Sequence, residues 1–83
     1  MKVKKKIIYL LDKVKGKLPE QDISNVTSLI DNDEFGEAFD ILCTQAYEYD
    51  ISIDNAFLEV ATEAAELMGL KNKNWEFIKE LID

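Results

Sequence analysis

Apolar residues recur with a helical period along nearly the whole chain, and no stretch alternates between apolar and polar residues as a strand does. The pattern predicts a first helix from about Lys2 to Gly16 or Lys17, and a second, short helix after Pro19. A third is predicted over about Glu34 to Tyr49, a fourth over about Ile53 to Met68, and a last one around Trp75. We therefore expect a single all-α domain over residues 1–83, built as a compact bundle of four to five short helices.

The helical period also predicts which side chains face the core and where helices start and stop. Ser52 is expected to cap the fourth helix, Gly69 to end it, and Asn72 or Asn74 to cap the last helix. The predicted inward residues are Val3, Ile7, Leu10, Leu11, Val14, Leu18, Ile23, Val26, Leu29, Ile30, Phe35, Ala38, Phe39, Leu42, Ala46, Tyr49, Ile53, Phe57, Val60, Ala61, Ala64, Leu67, Met68, Trp75, Ile78, Leu81 and Ile82.

The composition argues against an enzyme. A chain of 83 residues holds one small core, and it contains no histidine, the commonest general base and zinc ligand. The single cysteine, Cys43, lies at the edge of the third helix's apolar face and is expected to be a quiet, partly buried thiol. We expect no catalytic residue, no cofactor and no metal.

Targeting and membrane signals are weak. Lysines at positions 2, 4, 5 and 6 precede an apolar run that Asp12 ends after five residues, which is too short for a secretion signal. No apolar stretch approaches the roughly 20 residues of a membrane span. These features predict a cytoplasmic protein without a membrane partner. The lysine cluster has no arginine and no stacking residue beyond Tyr9, so nucleic-acid binding is not expected either.

Charge is strongly segregated along the chain. The net charge is −7, yet residues 1–17 carry seven lysines and one acid. Residues 18–70 carry thirteen acids and no lysine or arginine. One interpretation is that the N-terminal lysines neutralise acids of the folded body and only aid solubility. The other is an acidic surface that attracts a basic partner and accelerates the encounter.

The third helix and its flanking turns are the candidate partner-binding surface. At 100° per residue, its carboxylates fall opposite the apolar face, and Tyr47 projects about 120° from Phe35, beside Asp40. A tyrosine among carboxylates suits a binding hot spot. The candidate residues are Asp31, Asp33, Glu34, Glu37, Asp40, Tyr47, Glu48 and Asp50. The outer face of the fourth helix, with Glu59, Glu63 and Glu66, is the second choice.

The run from Phe35 to Ile53, FGEAFDILCTQAYEYDISI, resembles the MafI-type immunity proteins of bacterial polymorphic toxin and contact-dependent growth inhibition systems. The resemblance lies in an aromatic-glycine-x-alanine start, a leucine-cysteine pair and a tyrosine-glutamate-tyrosine-aspartate end. It extends over roughly Leu18 to Trp75, although Ser52 stands where the family usually has a turn proline. The resemblance implies a cytoplasmic antitoxin that forms a 1:1 complex with the C-terminal domain of a cognate toxin, often a nuclease such as an RNase.

Two other functions stay open from the residues alone. The first alternative is an acidic helical adaptor or regulatory subunit with no toxin partner. A less favoured alternative is an acyl-carrier-like domain bearing a prosthetic group on Ser24 or Ser28. Carrier proteins place such a serine after aspartate at a helix N-terminus, and neither serine here has that context.

Overall fold

Four α-helices and a short 3-10 helical region make up the structure, a computed structural model that describes residues 2–83. Met1, the first residue of the predicted domain, lies outside the described residues. The helices are α1 (Lys2–Val14), α2 (Glu20–Asp31), α3 (Phe35–Glu48) and α4 (Asn55–Met68). Two 3-10 helices, Asn72–Asn74 and Glu76–Leu81, follow α4. The predicted all-α bundle is confirmed.

The ends of α4 show how local chemistry sets the helix bounds. Asp54 caps its start, because the side-chain Oδ1 accepts a hydrogen bond from the Phe57 N–H at 2.8 Å. The prediction that Ser52 caps this helix is wrong, since residues 51–53 lie outside any helix and α4 begins only at Asn55. Gly69 ends the helix in the left-handed region at φ 68°, as predicted.

The helices pack in two pairs, α1 against α4 and α2 against α3, and α1 also contacts α3 and α2. The largest fully buried side chains are Phe39, Phe57, Ile7, Leu10, Leu42, Ile78, Val14, Val26 and Cys43. Burying a large aliphatic or aromatic side chain contributes roughly 1.5–3 kcal/mol. The core therefore rests on the stripes that the helical period identified.

Two predicted core residues are instead exposed. Tyr49 is 51% exposed and lies just past the last helical residue, Glu48, where the backbone leaves α-helical geometry (φ −94°, ψ 9°). Leu67 is also 51% exposed. It lies at the edge of the α4 stripe and lines a shallow groove with Lys2 and Lys6 of α1.

The last predicted helix is not a single α-helix but two short 3-10 helices. We call residues 70–83, which include both of them, the C-terminal segment. Trp75, Ile78 and Leu81 are buried, and the Trp75 ring packs edge-on against Phe39 with centroids 6.3 Å apart. Ile53 donates its N–H to the Leu81 carbonyl at 3.0 Å and accepts from the Asp83 N–H at 3.2 Å. These contacts hold the segment against α3 and against the loop before α4.

Within residues 2–83, every helix is too short or too polar to cross a membrane.

Candidate partner-binding surface

All eight candidate residues are exposed, and they follow α3 from one end to the other. Asp31 ends α2, Asp33 and Glu34 form the turn before α3, and Asp50 lies in the turn after it. Glu37 and Glu48 are eleven residues apart on α3, which corresponds to about 16 Å along the helix axis. We call this set of eight residues the acidic surface. It is long enough to contact a partner at both ends of α3.

The carboxylates of the acidic surface are not neutralised locally. Among residues 2–83, the ion pairs are Lys6–Glu63 at 2.7 Å, Lys15–Asp12 at 3.3 Å and Lys79–Glu76 at 3.3 Å. Only the first of these joins a lysine of residues 1–17 to an acid of residues 18–70. None of the three involves the acidic surface. Its seven carboxylates therefore face solvent without a paired lysine, which leaves a negative potential available to a partner.

Tyr47 is the aromatic residue of the acidic surface, and two contacts fix its side chain. It is 42% exposed, its hydroxyl donates a hydrogen bond to Glu80 Oε1 at 3.2 Å, and its ring meets Phe77 edge-on at 5.2 Å between centroids. The hydrogen bond to Glu80, with the Glu80 charge, partial burial and the Asp50 charge, raises the pKa of Tyr47. The hydrogen bond and the ring contact thus restrict the Tyr47 side chain.

Sequence reasoning missed three residues at this end of α3. Phe77 and Glu80 support Tyr47 from the C-terminal segment, 30 or more positions away in the chain, and no local pattern links them to it. Tyr49 is predicted to lie in the core but is exposed, which makes it a second accessible aromatic residue at the C-terminal end of α3.

A groove of about 320 Å³ opens at the other end of α3, against the C-terminal segment. It is lined by Gly36, Phe39, Asp40, Leu70, Asn74 and Trp75. Phe39 and Trp75 are almost fully buried and form its apolar side, whereas Asp40 supplies a carboxylate. The Trp75 Nε1 is buried and finds no hydrogen-bond acceptor within the described chain.

The second-choice surface on α4 is less available to a partner. Glu63 is bound by Lys6 Nζ at 2.7 Å, and the Lys6 side chain is itself largely covered. The ion pair places a cation in the middle of the three glutamates on this face. The charge of α4 is therefore partly compensated, which favours α3 over α4 as the contact surface.

Cys43 is the predicted quiet thiol, and burial is more complete than expected, with 1% of the residue exposed. Burial, followed by the negative charge of Asp40, raises the pKa of Cys43 to about 12. The thiol is thus neutral and covered at physiological pH. Its position suits packing of α3 and not nucleophilic chemistry.

The two serines considered for a prosthetic group both lie inside α2. Ser24 and Ser28 are exposed residues of the helix Glu20–Asp31, and neither occupies its N-terminus. No group of three Cys, Asp or Glu side chains in the described part of the chain is arranged to hold a metal ion.

Comparison with protein-family models, with curated proteins and with solved structures finds no match to this chain.

Proposed function

We propose that this chain is an immunity protein that binds and neutralises a cognate bacterial toxin domain, without catalysis, through the acidic surface. The observation that carries the proposal is the set of seven exposed carboxylates on α3 and beside its two ends, with no lysine paired to them among the described residues. The resemblance of residues 35–53 to MafI-type immunity proteins supports the same function.

The proposed partner is a basic toxin domain, for which a nuclease is the leading case. An enzyme that holds RNA or DNA presents clustered lysines and arginines to the phosphates. An acidic helix face of about 16 Å can occupy such a cleft or lie beside it. Long-range attraction then raises the association rate toward about 10⁸ M⁻¹s⁻¹ at low salt, and misplaced partners are rejected by like charges.

Tyr47 is the proposed anchor of this interface. Interface aromatics carry a large share of binding energy when they are rigid and become desolvated. The Glu80 hydrogen bond and the Phe77 ring already restrict Tyr47, so less side-chain entropy is lost on binding. The carboxylates around it supply orientation and encounter rate, and the ring supplies apolar contact area.

The direct test is a rescue experiment. The toxin domain encoded beside this chain is expressed in bacteria with and without it, and growth is compared. We expect specific rescue and recovery of a 1:1 complex on purification. A toxin whose effect this chain does not relieve would contradict the proposal and favour the adaptor function.

Charge reversal then tests the surface. We expect Glu37→Lys with Asp40→Lys to weaken binding by 100-fold or more, because two attractive contacts become repulsive. The matched control reverses two exposed glutamates of α4 (Glu59→Lys with Glu66→Lys) and changes the net charge by the same amount. Wild-type affinity in the α3 variant, or a larger loss in the α4 control, would show that the acidic surface is not the interface.

A further inference from the structure

We propose that the groove beside Gly36 receives a lysine or arginine side chain of the protein partner, and that Gly36 keeps this groove open. The inference takes its basic protein partner from the proposed function. It adds one specific contact, between a basic side chain of that partner and the groove. It follows from two independent observations. The first is the chemistry of the groove lining, and the second is that neither the backbone conformation nor the packing requires glycine at position 36.

Gly36 is the second residue of α3, and neither its backbone nor its packing requires glycine. Its φ lies outside the left-handed region, unlike that of Gly16 or Gly69. A Cβ placed on Gly36 would meet no atom within 4 Å. Glycine within a helix lowers stability relative to alanine, because its backbone loses more conformational freedom on folding. The isolated fold thus has no requirement for glycine at position 36, and we infer that the groove beside it does.

The groove lining matches a side chain that has an apolar stem and a cationic head. Leu70 is partly exposed and offers apolar surface for methylene groups, whereas Phe39 and Trp75 line the groove with almost no exposed surface. The Asp40 carboxylate is exposed and takes part in none of the ion pairs of the described residues, so it is free to accept a charged hydrogen bond. The Asn74 side chain adds a neutral polar group at the edge.

The charges around the groove agree with a cationic occupant. Glu37 and Glu34 lie within one helical turn of Gly36 along the chain, and both are exposed. Lys71 and Lys73 are exposed in the neighbouring C-terminal segment but do not line the groove. The one charged side chain of the lining is thus Asp40.

The first experiment uses fragments in place of the partner. The chain is titrated with n-butylguanidinium chloride, and separately with n-butylammonium chloride, while amide and indole NMR signals are followed. With either fragment we expect the signals of the Gly36 amide and the Trp75 indole N–H to shift and to reach saturation as the fragment concentration rises. Shifts equal to those caused by sodium chloride at the same ionic strength would overturn the proposal.

Matched variants sharpen the titration. Asp40→Asn removes the proposed charge contact without changing the shape of the side chain, and we expect it to abolish the saturable shifts. Glu59→Gln removes one charge from the outer face of α4 and should leave them intact. Equal fragment binding by wild type and Asp40→Asn would show that Asp40 does not hold the cation.

The second experiment separates a binding role of Gly36 from a structural one. We expect Gly36→Ala to raise the melting temperature by about 2–6 °C, because a helical glycine is removed. Gly36→Gln should fold as well as wild type and, if the groove receives the partner's side chain, bind the toxin domain at least 10-fold more weakly, because the longer side chain would compete for the same space. Gly69→Ala serves as the contrast. Its melting temperature should fall, because alanine is strained at the φ of 68° that Gly69 adopts, whereas its affinity for the toxin domain should not change.

These outcomes distinguish the inference from the proposed function. Wild-type rescue together with full-strength binding by Gly36→Gln would refute the groove contact while leaving the immunity function standing. Failure of wild-type rescue would refute the immunity function. The fragment titration would then still decide whether the groove binds a cationic side chain.

Discussion

The Tyr47 hydroxyl donates a hydrogen bond to Glu80 Oε1 across 3.2 Å, although the two residues are 33 positions apart in the chain. The bond joins the last turn of α3 to the second 3-10 helix, and the Phe77 ring completes the contact from the same 3-10 helix. The acidic surface on α3 is thereby coupled to the packing of the C-terminal segment. A change in that segment will therefore alter the geometry of the proposed anchor.

The titration of Tyr47 tests this contact in solution. The hydrogen bond to Glu80 raises the pKa of Tyr47 above its ordinary value of 10.0, because the protonated hydroxyl is the donor and the phenolate would face a carboxylate. The stabilisation is thus present below pH 10.0 and is lost as the pH rises through the raised pKa of the folded state. The difference in phenolate absorbance between wild type and Tyr47→Phe isolates this single titration.

Two glutamate variants complete that experiment. We expect Glu80→Ala to lower the midpoint of the Tyr47 titration toward its ordinary value. Glu76 lies on the same 3-10 helix, but its carboxylate pairs with Lys79 and not with Tyr47. Glu76→Ala should therefore change the midpoint of the Tyr47 titration little. An identical midpoint in wild type and Glu80→Ala would show that the hydrogen bond does not form.

The start of α4 provides a stability prediction with an internal control. Asp54→Ala removes the acceptor for the Phe57 N–H, and we expect a loss of about 1 kcal/mol in the free energy of unfolding. Ser52→Ala should change it by less than about 0.5 kcal/mol, since Ser52 is exposed and lies outside the helix. Chemical denaturation of both variants measures the difference. A larger loss for Ser52→Ala would restore Ser52 as the cap.

Local patterns predicted the four α-helices because each has an apolar stripe with the α-helical period. Two mistakes fall at helix ends. Tyr49 is predicted as the last residue of the third helix, which ends at Glu48, and Ser52 as the cap of a helix that begins two residues later than predicted, at Asn55. The C-terminal segment did carry a usable signal, since buried Trp75, Ile78 and Leu81 are spaced by three, the 3-10 period.

The exposure of the acidic surface followed from sequence, whereas its aromatic support did not. The helical period places Glu37, Asp40 and Tyr47 away from the apolar stripe of α3, and all three are exposed. The contact between Tyr47 and Phe77 depends on how the C-terminal segment crosses α3, which is decided by Trp75 packing on Phe39. That crossing is a tertiary outcome with no local sequence pattern.

The burial of Cys43 predicts a thiol that reacts only when the protein opens. With a pKa of about 12, roughly one thiol in ten thousand is ionised at pH 8, and the group is also covered. We expect labelling by a disulfide reagent to be at least 100-fold slower in native buffer than in denaturant. Rapid stoichiometric labelling of the native protein would contradict the buried position.

The same thiol predicts a decline of stability in alkali. The folded state keeps its proton while the unfolded chain loses it, so the stabilisation is present below pH 9.0 and is lost as the pH rises toward about 12. Over this range Cys43 should lower the free energy of unfolding by roughly 1 kcal/mol per pH unit. Cys43→Ala should show a shallower alkaline decline. An unchanged slope would mean that Cys43 does not titrate on unfolding.

Salt provides the final prediction, because it separates encounter from contact at the proposed interface. Raising the ionic strength from 0.01 M to 1 M shortens the screening length from about 30 Å to about 3 Å. If the seven unpaired carboxylates steer the toxin domain, its association rate should fall by 10-fold or more over this range, whereas the dissociation rate should change little. Stopped-flow mixing of the two proteins measures both rates.

Two variants separate the roles of charge and of the aromatic ring. Glu37→Gln with Glu48→Gln should make the association rate less sensitive to salt. Tyr47→Ala should instead accelerate dissociation, because an aromatic anchor acts after the encounter. An association rate that does not respond to salt would assign the acidic surface to solubility and remove it from recognition.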